Sequence, residues 1–226
     1  MISWPAFAAV FAAFFVTHSV PVRPKVKARL QKHLGKTGFT ASYSMLSLGM
    51  LIALIWAAKN APYVQLWPQE IWQRYVVFFG MYFVCVIVGL AILRPNPFSF
   101  GGAHNNEFDP TKPGIVRLSR HPMLVAIALW AGLHLMPNGD LAHVILFGVF
   151  LVFAILGSRI IDARNKRLMG ISQYHALLSK TQDAPLFQTP LNWRSATLRV
   201  AIATGVFVLL IILHPLAIGV SPLPTL

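Results

Sequence analysis

Acidic side chains are nearly absent. Six Asp and Glu stand against nineteen Lys and Arg in 226 residues, and charged residues of both signs make up only 11% of the chain. Roughly a quarter of a typical soluble protein is charged, so a water-soluble globule is disfavoured at once. Cysteine is reduced to one, Cys85, which excludes an intramolecular disulfide, a CxxC redox pair and a cysteine-built zinc site. Catalytic signatures are missing as well: there is no GxSxG elbow, P-loop, HExxH or carboxylate dyad, and no GxGxxG opening a βαβ unit. Hydrolase and nucleotide-driven chemistry are disfavoured with them. No internal repeat, low-complexity tract or break in composition marks a second domain, and residues 1–226 read as a single membrane domain.

What is present is apolar. Hydrophobic residues make up 56% of the chain and gather into six uncharged runs, at 2–19, 39–58, 75–93, 122–137, 141–158 and 200–219. At about 1.5 Å per helical residue each comes near the length needed to cross a hydrocarbon core of roughly 30 Å. The expected fold is therefore all-α, a polytopic membrane helical bundle of about six transmembrane helices. The first run has no basic residue ahead of it and leads into Thr17-His18-Ser19-Val20-Pro21, so it reads as a retained helix instead of a signal peptide. Pro137-Asn138-Gly139-Asp140 is a turn signature, which makes the fourth and fifth runs a tight helical hairpin.

The basic residues orient this bundle. Seventeen of the nineteen fall in segments 21–38, 94–121 and 159–199, and only Lys59 and Arg74 lie on the alternate connections. By the positive-inside rule those three segments are cytoplasmic and both termini lie outside, in the periplasm of a bacterium whose inner membrane holds the chain. The net charge of +13 then needs membrane lipid headgroups as its partner and no nucleic acid. Reporter fusions after Lys36 and after Lys180 are expected to score as cytoplasmic and one at Leu226 as outside; a cytoplasmic C-terminus would mean a miscounted span. Val22, Val26 and Leu30 recur every four residues among basic side chains, and Leu168, Ile171, Tyr174 and Leu178 recur at three to four. Both patterns predict helices lying in the interface, with Tyr174 and Trp193 anchored at the headgroups.

Histidine carries most of the remaining chemistry. An ionisable group at membrane depth is costly, so His18, His134, His143 and His214 require an explanation that His33 and His175 do not. Two readings are open for each: a neutral imidazole hydrogen-bonded to a nearby carbonyl or water, or a group facing the bundle interior, a cavity or a cofactor. The six acids all lie in connections or near helix ends, which disfavours an ion-coupled transporter. A second cluster, Gly114 to Met123, places Arg120 and His121 immediately before Pro122 at the start of the fourth run. A helix N-terminus flanked in this way suits an anionic group such as a carboxylate, a phosphate or a haem propionate. It equally suits an arginine anchored at the headgroups.

Thr17-His18-Ser19, the run from Gly114 through Arg120-His121-Pro122, Leu133-His134, Asp162 with Arg167-Leu168, and His214-Pro215 together resemble the NnrU family, in order and spacing, from about residue 7 to 215. That family includes the plant and cyanobacterial 15-cis-zeta-carotene isomerases. The resemblance implies a polytopic membrane protein and, for the isomerase branch, a b-type haem held by two histidines, which carry over onto His18 and His134. The isomerase acts on a linear tetraterpene, a hydrophobic small-molecule substrate, through redox-dependent exposure of the haem iron. Bacterial members are associated with nitrite and nitric oxide reduction. Gly132 and its apolar neighbours stand where the isomerase branch has a cysteine. Depth along straight helices separates His18 from His134 by roughly 12 Å, and would pair His134 with His214 and His18 with His121 instead. His121 and His214 are therefore the reserve ligands.

Arg120-His121-Pro122-Met123 also resembles the cofactor-binding end of membrane isoprenylcysteine methyltransferases, which bind S-adenosylmethionine. Those enzymes have a glutamate pair where this chain reads Asp162-Ala163-Arg164-Asn165. A non-catalytic membrane scaffold is a third possibility.

Overall fold

Proline, serine and glycine set most of the helix boundaries. The computed structural model describes residues 1–185 and 193–224, so the expected outer end at Leu226 lies outside the described residues. Ser3 caps α1 (Trp4–Ser19) by accepting from Ala6 N at 3.3 Å, with a proline in the first turn. Helix α2 (Pro24–Asn60) is broken inside by Gly35 at φ 70, ψ 172, a conformation that β-carbon sterics deny to other residues. The break separates a short basic leg from a long apolar one. Glu70 and Gln73 form a capping box at the start of α3 (Ile71–Ala91), Glu70 N donating to Gln73 Oε1 at 2.7 Å.

Pro122 opens α4 (Pro122–Leu135), where its missing N–H leaves no bond unmade. Asp140 accepts from His143 N at 3.2 Å at the head of α5 (Leu141–Met169). Gly170, at φ 87, then divides α5 from α6 (Ile171–Asp183), and α7 (Trp193–Ile218) completes the chain.

The protein is thus an all-helical polytopic membrane protein, with seven α-helices among the described residues. Each of the six apolar runs lies in a helix, as the sequence predicts. Four helices, α2, α3, α5 and α7, are long and apolar enough to cross a membrane, whereas α1 and α4 are the shorter apolar ones. The most apolar window of α7 has a mean hydropathy of 2.4 and only 6% of it is buried by protein. A helix that is apolar all round and barely covered by protein requires lipid as its solvent.

The chain forms two compact units. One comprises Met1–Trp67 with Gly139–Leu146, and in it α1 packs against α2. Ile2 N donates to Asn60 O at 2.7 Å, tying the start of α1 to the end of α2. In the same unit Gly139 O accepts from Leu66 N at 2.7 Å, and Leu141 N donates to Val64 O at 2.8 Å. The other unit comprises Pro68–Asn138 with Phe147–Leu226, and in it α3 packs against both α4 and α7. Gly89 permits the second of these contacts, because a β-carbon there would lie 2.9 Å from Ala203 Cβ.

Two interfacial expectations require correction. Leu168 belongs to α5 and not to the amphipathic helix that begins at Ile171, because Gly170 interrupts the repeat. Tyr174 is 1% exposed and sits in a small core with Phe98 and Val116, so it is no headgroup anchor. Trp193, by contrast, is exposed.

Candidate functional site

The polar centre of the second unit is a carboxylate. Asp162, on α5, accepts from Arg120 Nε at 3.0 Å and from Arg120 Nη2 at 2.6 Å, a two-pronged geometry that only a guanidinium provides. It also meets His121 Nε2 at 2.8 Å and accepts from Tyr174 Oη at 2.6 Å. One side chain therefore joins the segment before α4, the helix α5 and the helix α6. The anion that meets Arg120 is the protein's own Asp162.

This arrangement fixes the state of each partner. A carboxylate paired with an always-charged guanidinium is ionised and can only accept, so His121 donates from Nε2 and its Nδ1 carries the lone pair. Burial holds the His121 imidazole below its usual range against the opposing pull of Asp162. Burial, reinforced by the neighbouring carboxylate, pushes the Tyr174 phenol up to about 12. Hydrogen bonding to Asp162 raises the Arg120 guanidinium further still.

Asparagines brace the backbone around this centre. Asn96 Nδ2 donates to Arg120 O at 3.1 Å while Asn96 Oδ1 accepts from Phe98 N at 3.0 Å. Asn165, one turn of α5 beyond Asp162, donates to Phe98 O at 2.6 Å. Sequence reasoning missed Asn96, Asn165 and the bonding role of Tyr174. Only the Asn96-Pro97 turn signal was available to flag the first of them.

A cavity of about 410 Å³ lies beside the network. Arg117, Ser119, Arg120 and His121 line its polar end, apolar side chains of α4 and α5, among them Ala128 and Ala154, line much of the rest, and Ser158 of α5 with Thr181 and Gln182 of α6 also line it. Arg117 Nε donates to Ala184 O at 2.7 Å, which fixes the guanidinium at the rim.

A family model described as NnrU protein matches residues 6–222. The chain belongs to the NnrU family. No curated protein and no solved structure matches it.

In this NnrU protein the histidines separate into two kinds. His134, His18 and His214 each have Nδ1 engaged. His134 Nδ1 is 2.8 Å from Trp130 O, one turn earlier on α4, and His214 Nδ1 is 2.6 Å from Val220 O. A carbonyl can only accept, so both rings are protonated at Nδ1 and present the lone pair at Nε2. His18, in the other unit, has Nδ1 3.2 Å from Tyr43 Oη, whose own proton goes to His18 O at 2.9 Å. The phenol's single proton being spent, Nδ1 is the donor there too. His121 is the opposite tautomer, its Nε2 being held by Asp162. His143 pairs with Asp140 at 2.7 Å at the head of α5, a capping role.

Aromatic rings surround the interior member of the set. His134 lies 5.2 Å from the Phe147 ring and 5.5 Å from Trp130. Phe14 stacks on His18 at 5.3 Å and 13°. His134 and His214 belong to the same unit.

Proposed function

We propose that this NnrU protein is a haem protein of the bacterial inner membrane, holding a b-type haem through two histidines. Its redox role serves either cis–trans isomerisation of an isoprenoid such as a carotenoid, or nitrite and nitric oxide reduction. The observation that carries the reading is His134. An imidazole inside an apolar helix, with Nδ1 hydrogen-bonded to a main-chain carbonyl and Nε2 left as lone pair, has the donor chemistry of an axial ligand oriented by its outer partner.

When bound, the haem supplies a one-electron centre whose potential is set by its axial ligands and surroundings. His134 anchors it. His18 is the second ligand by the family resemblance, and the same tautomer argument puts its lone pair on Nε2. His214 is the alternative favoured by its place in the same unit as His134 and by depth along the helices.

The methyltransferase alternative is weakened at Asp162, its best catalytic carboxylate, because both oxygens are taken up by Arg120, His121 and Tyr174. Haem content decides the matter. Purified from cells supplied with haem, the protein is expected to give a b-type pyridine haemochromogen at roughly one haem per chain. Colourless protein in several detergents would leave the methyltransferase or the scaffold.

A further inference from the structure

His121 leaves one polar atom unaccounted for. Its side chain is 5% exposed, Nε2 is committed to Asp162, and Nδ1 is buried with no hydrogen-bond partner among the described residues. A buried lone pair without a donor costs free energy, and this one belongs to a residue lining the cavity between the start of α4, α5 and the end of α6. The group that would satisfy it must therefore bring an O–H or N–H.

The rest of the cavity narrows the class. Its polar end carries Arg117, whose charge has no acid beside it in the lining, while Arg120 is neutralised by Asp162. An occupant that is anionic at this end is favoured, and an added cation is not. Apart from Ser158, Thr181 and Gln182 the other lining residues are apolar, and two of these, Val125 and Ile155, are themselves exposed on α4 and α5. The cavity thus borders a surface suited to hydrocarbon, which favours an occupant drawn from the bilayer.

We propose that this cavity binds an anionic phospholipid whose headgroup carries a hydroxyl, with the phosphate at Arg117, the hydroxyl donating to His121 Nδ1, and an acyl chain along Ala128 and Ala154. Phosphatidylglycerol has this chemistry. Phosphatidylmethanol keeps the anionic phosphodiester and lacks the hydroxyl, and phosphatidylcholine lacks both the net charge and the donor. The site includes none of His18, His134 and His214; His121, the other reserve ligand, has Nε2 committed to Asp162, and occupancy is read independently of pigment.

The test is native mass spectrometry of the detergent-solubilised full chain titrated with the dioctanoyl forms of these three lipids. Phosphatidylglycerol is expected to bind about fivefold to tenfold more tightly than phosphatidylmethanol, and phosphatidylcholine most weakly. His121→Ala should bring phosphatidylglycerol down to the phosphatidylmethanol level. Because His121 also belongs to the Asp162 network, Ala128→Leu provides a second test: it fills the apolar wall, leaves the network untouched and should abolish preferential binding of phosphatidylglycerol. Equal binding of all three lipids, or phosphatidylglycerol binding unchanged by Ala128→Leu, would overturn the proposal in favour of general attraction to a basic surface. Saturable binding of S-adenosylmethionine that displaces the lipid would overturn it in favour of a soluble cofactor.

Discussion

Asp162→Asn is expected to cost this protein about 2–4 kcal/mol, because two buried donors, His121 and Tyr174, lose a charged acceptor, while the partly exposed Arg120 regains water. Three elements lose their common acceptor together: Arg120 before α4, His121 at its N-cap, and Tyr174 on α6. An amide at this position can accept through only one oxygen, and its NH₂ would face donors. Typical domains are stable by only about 5–15 kcal/mol, so much of the variant should be lost on extraction. Tyr174→Phe removes a single hydroxyl and should cost about 1–3 kcal/mol, the penalty of one buried bond. Thermal unfolding in detergent checks both values. An Asp162→Asn protein with the melting temperature of the wild type would show that the network holds nothing together.

The second large effect concerns the pigment. His134→Ala should lose most of the haem, a drop of roughly tenfold or more, while His18→Ala should retain part of it as a five-coordinate species. The asymmetry follows from local structure. His134 is locked by the Trp130 carbonyl and flanked by Trp130 and Phe147 inside α4. His18 sits in the last turn of α1, two residues before the chain leaves the helix at Val20. Pigment content and spin state of the two variants decide it. If His214→Ala, and not His18→Ala, abolishes the low-spin bands, the second ligand comes from α7, as depth along the helices suggests.

The helices were legible because the rule behind them is local: a span must exclude charge along its whole length, and six runs do so. The break between the fourth and fifth runs was legible for the same reason, since proline, asparagine and glycine act on the backbone around them, and α4 ends at Leu135 before α5 begins at Leu141. Amphipathic periodicity revealed α6 but not what its apolar face meets. Tyr174 has the spacing of a headgroup anchor, yet the face it occupies is covered by Phe98 and Val116. The Arg120–Asp162 pair was hidden because its members are 42 residues apart, and only the packed helices bring them together. Sequence reasoning left Arg120 open between holding an anionic group and anchoring at the headgroups, and could not identify the anion as internal. The tautomers of the histidines were equally hidden, since each depends on one carbonyl, phenol or carboxylate next to one ring nitrogen.

The most direct test of the haem reading is the optical spectrum of the detergent-solubilised wild-type protein, oxidised and then reduced with dithionite. Ligation by two imidazoles predicts a low-spin six-coordinate spectrum in at least one oxidation state, reproduced in several detergents. A featureless spectrum, or a high-spin one in both oxidation states, would contradict it.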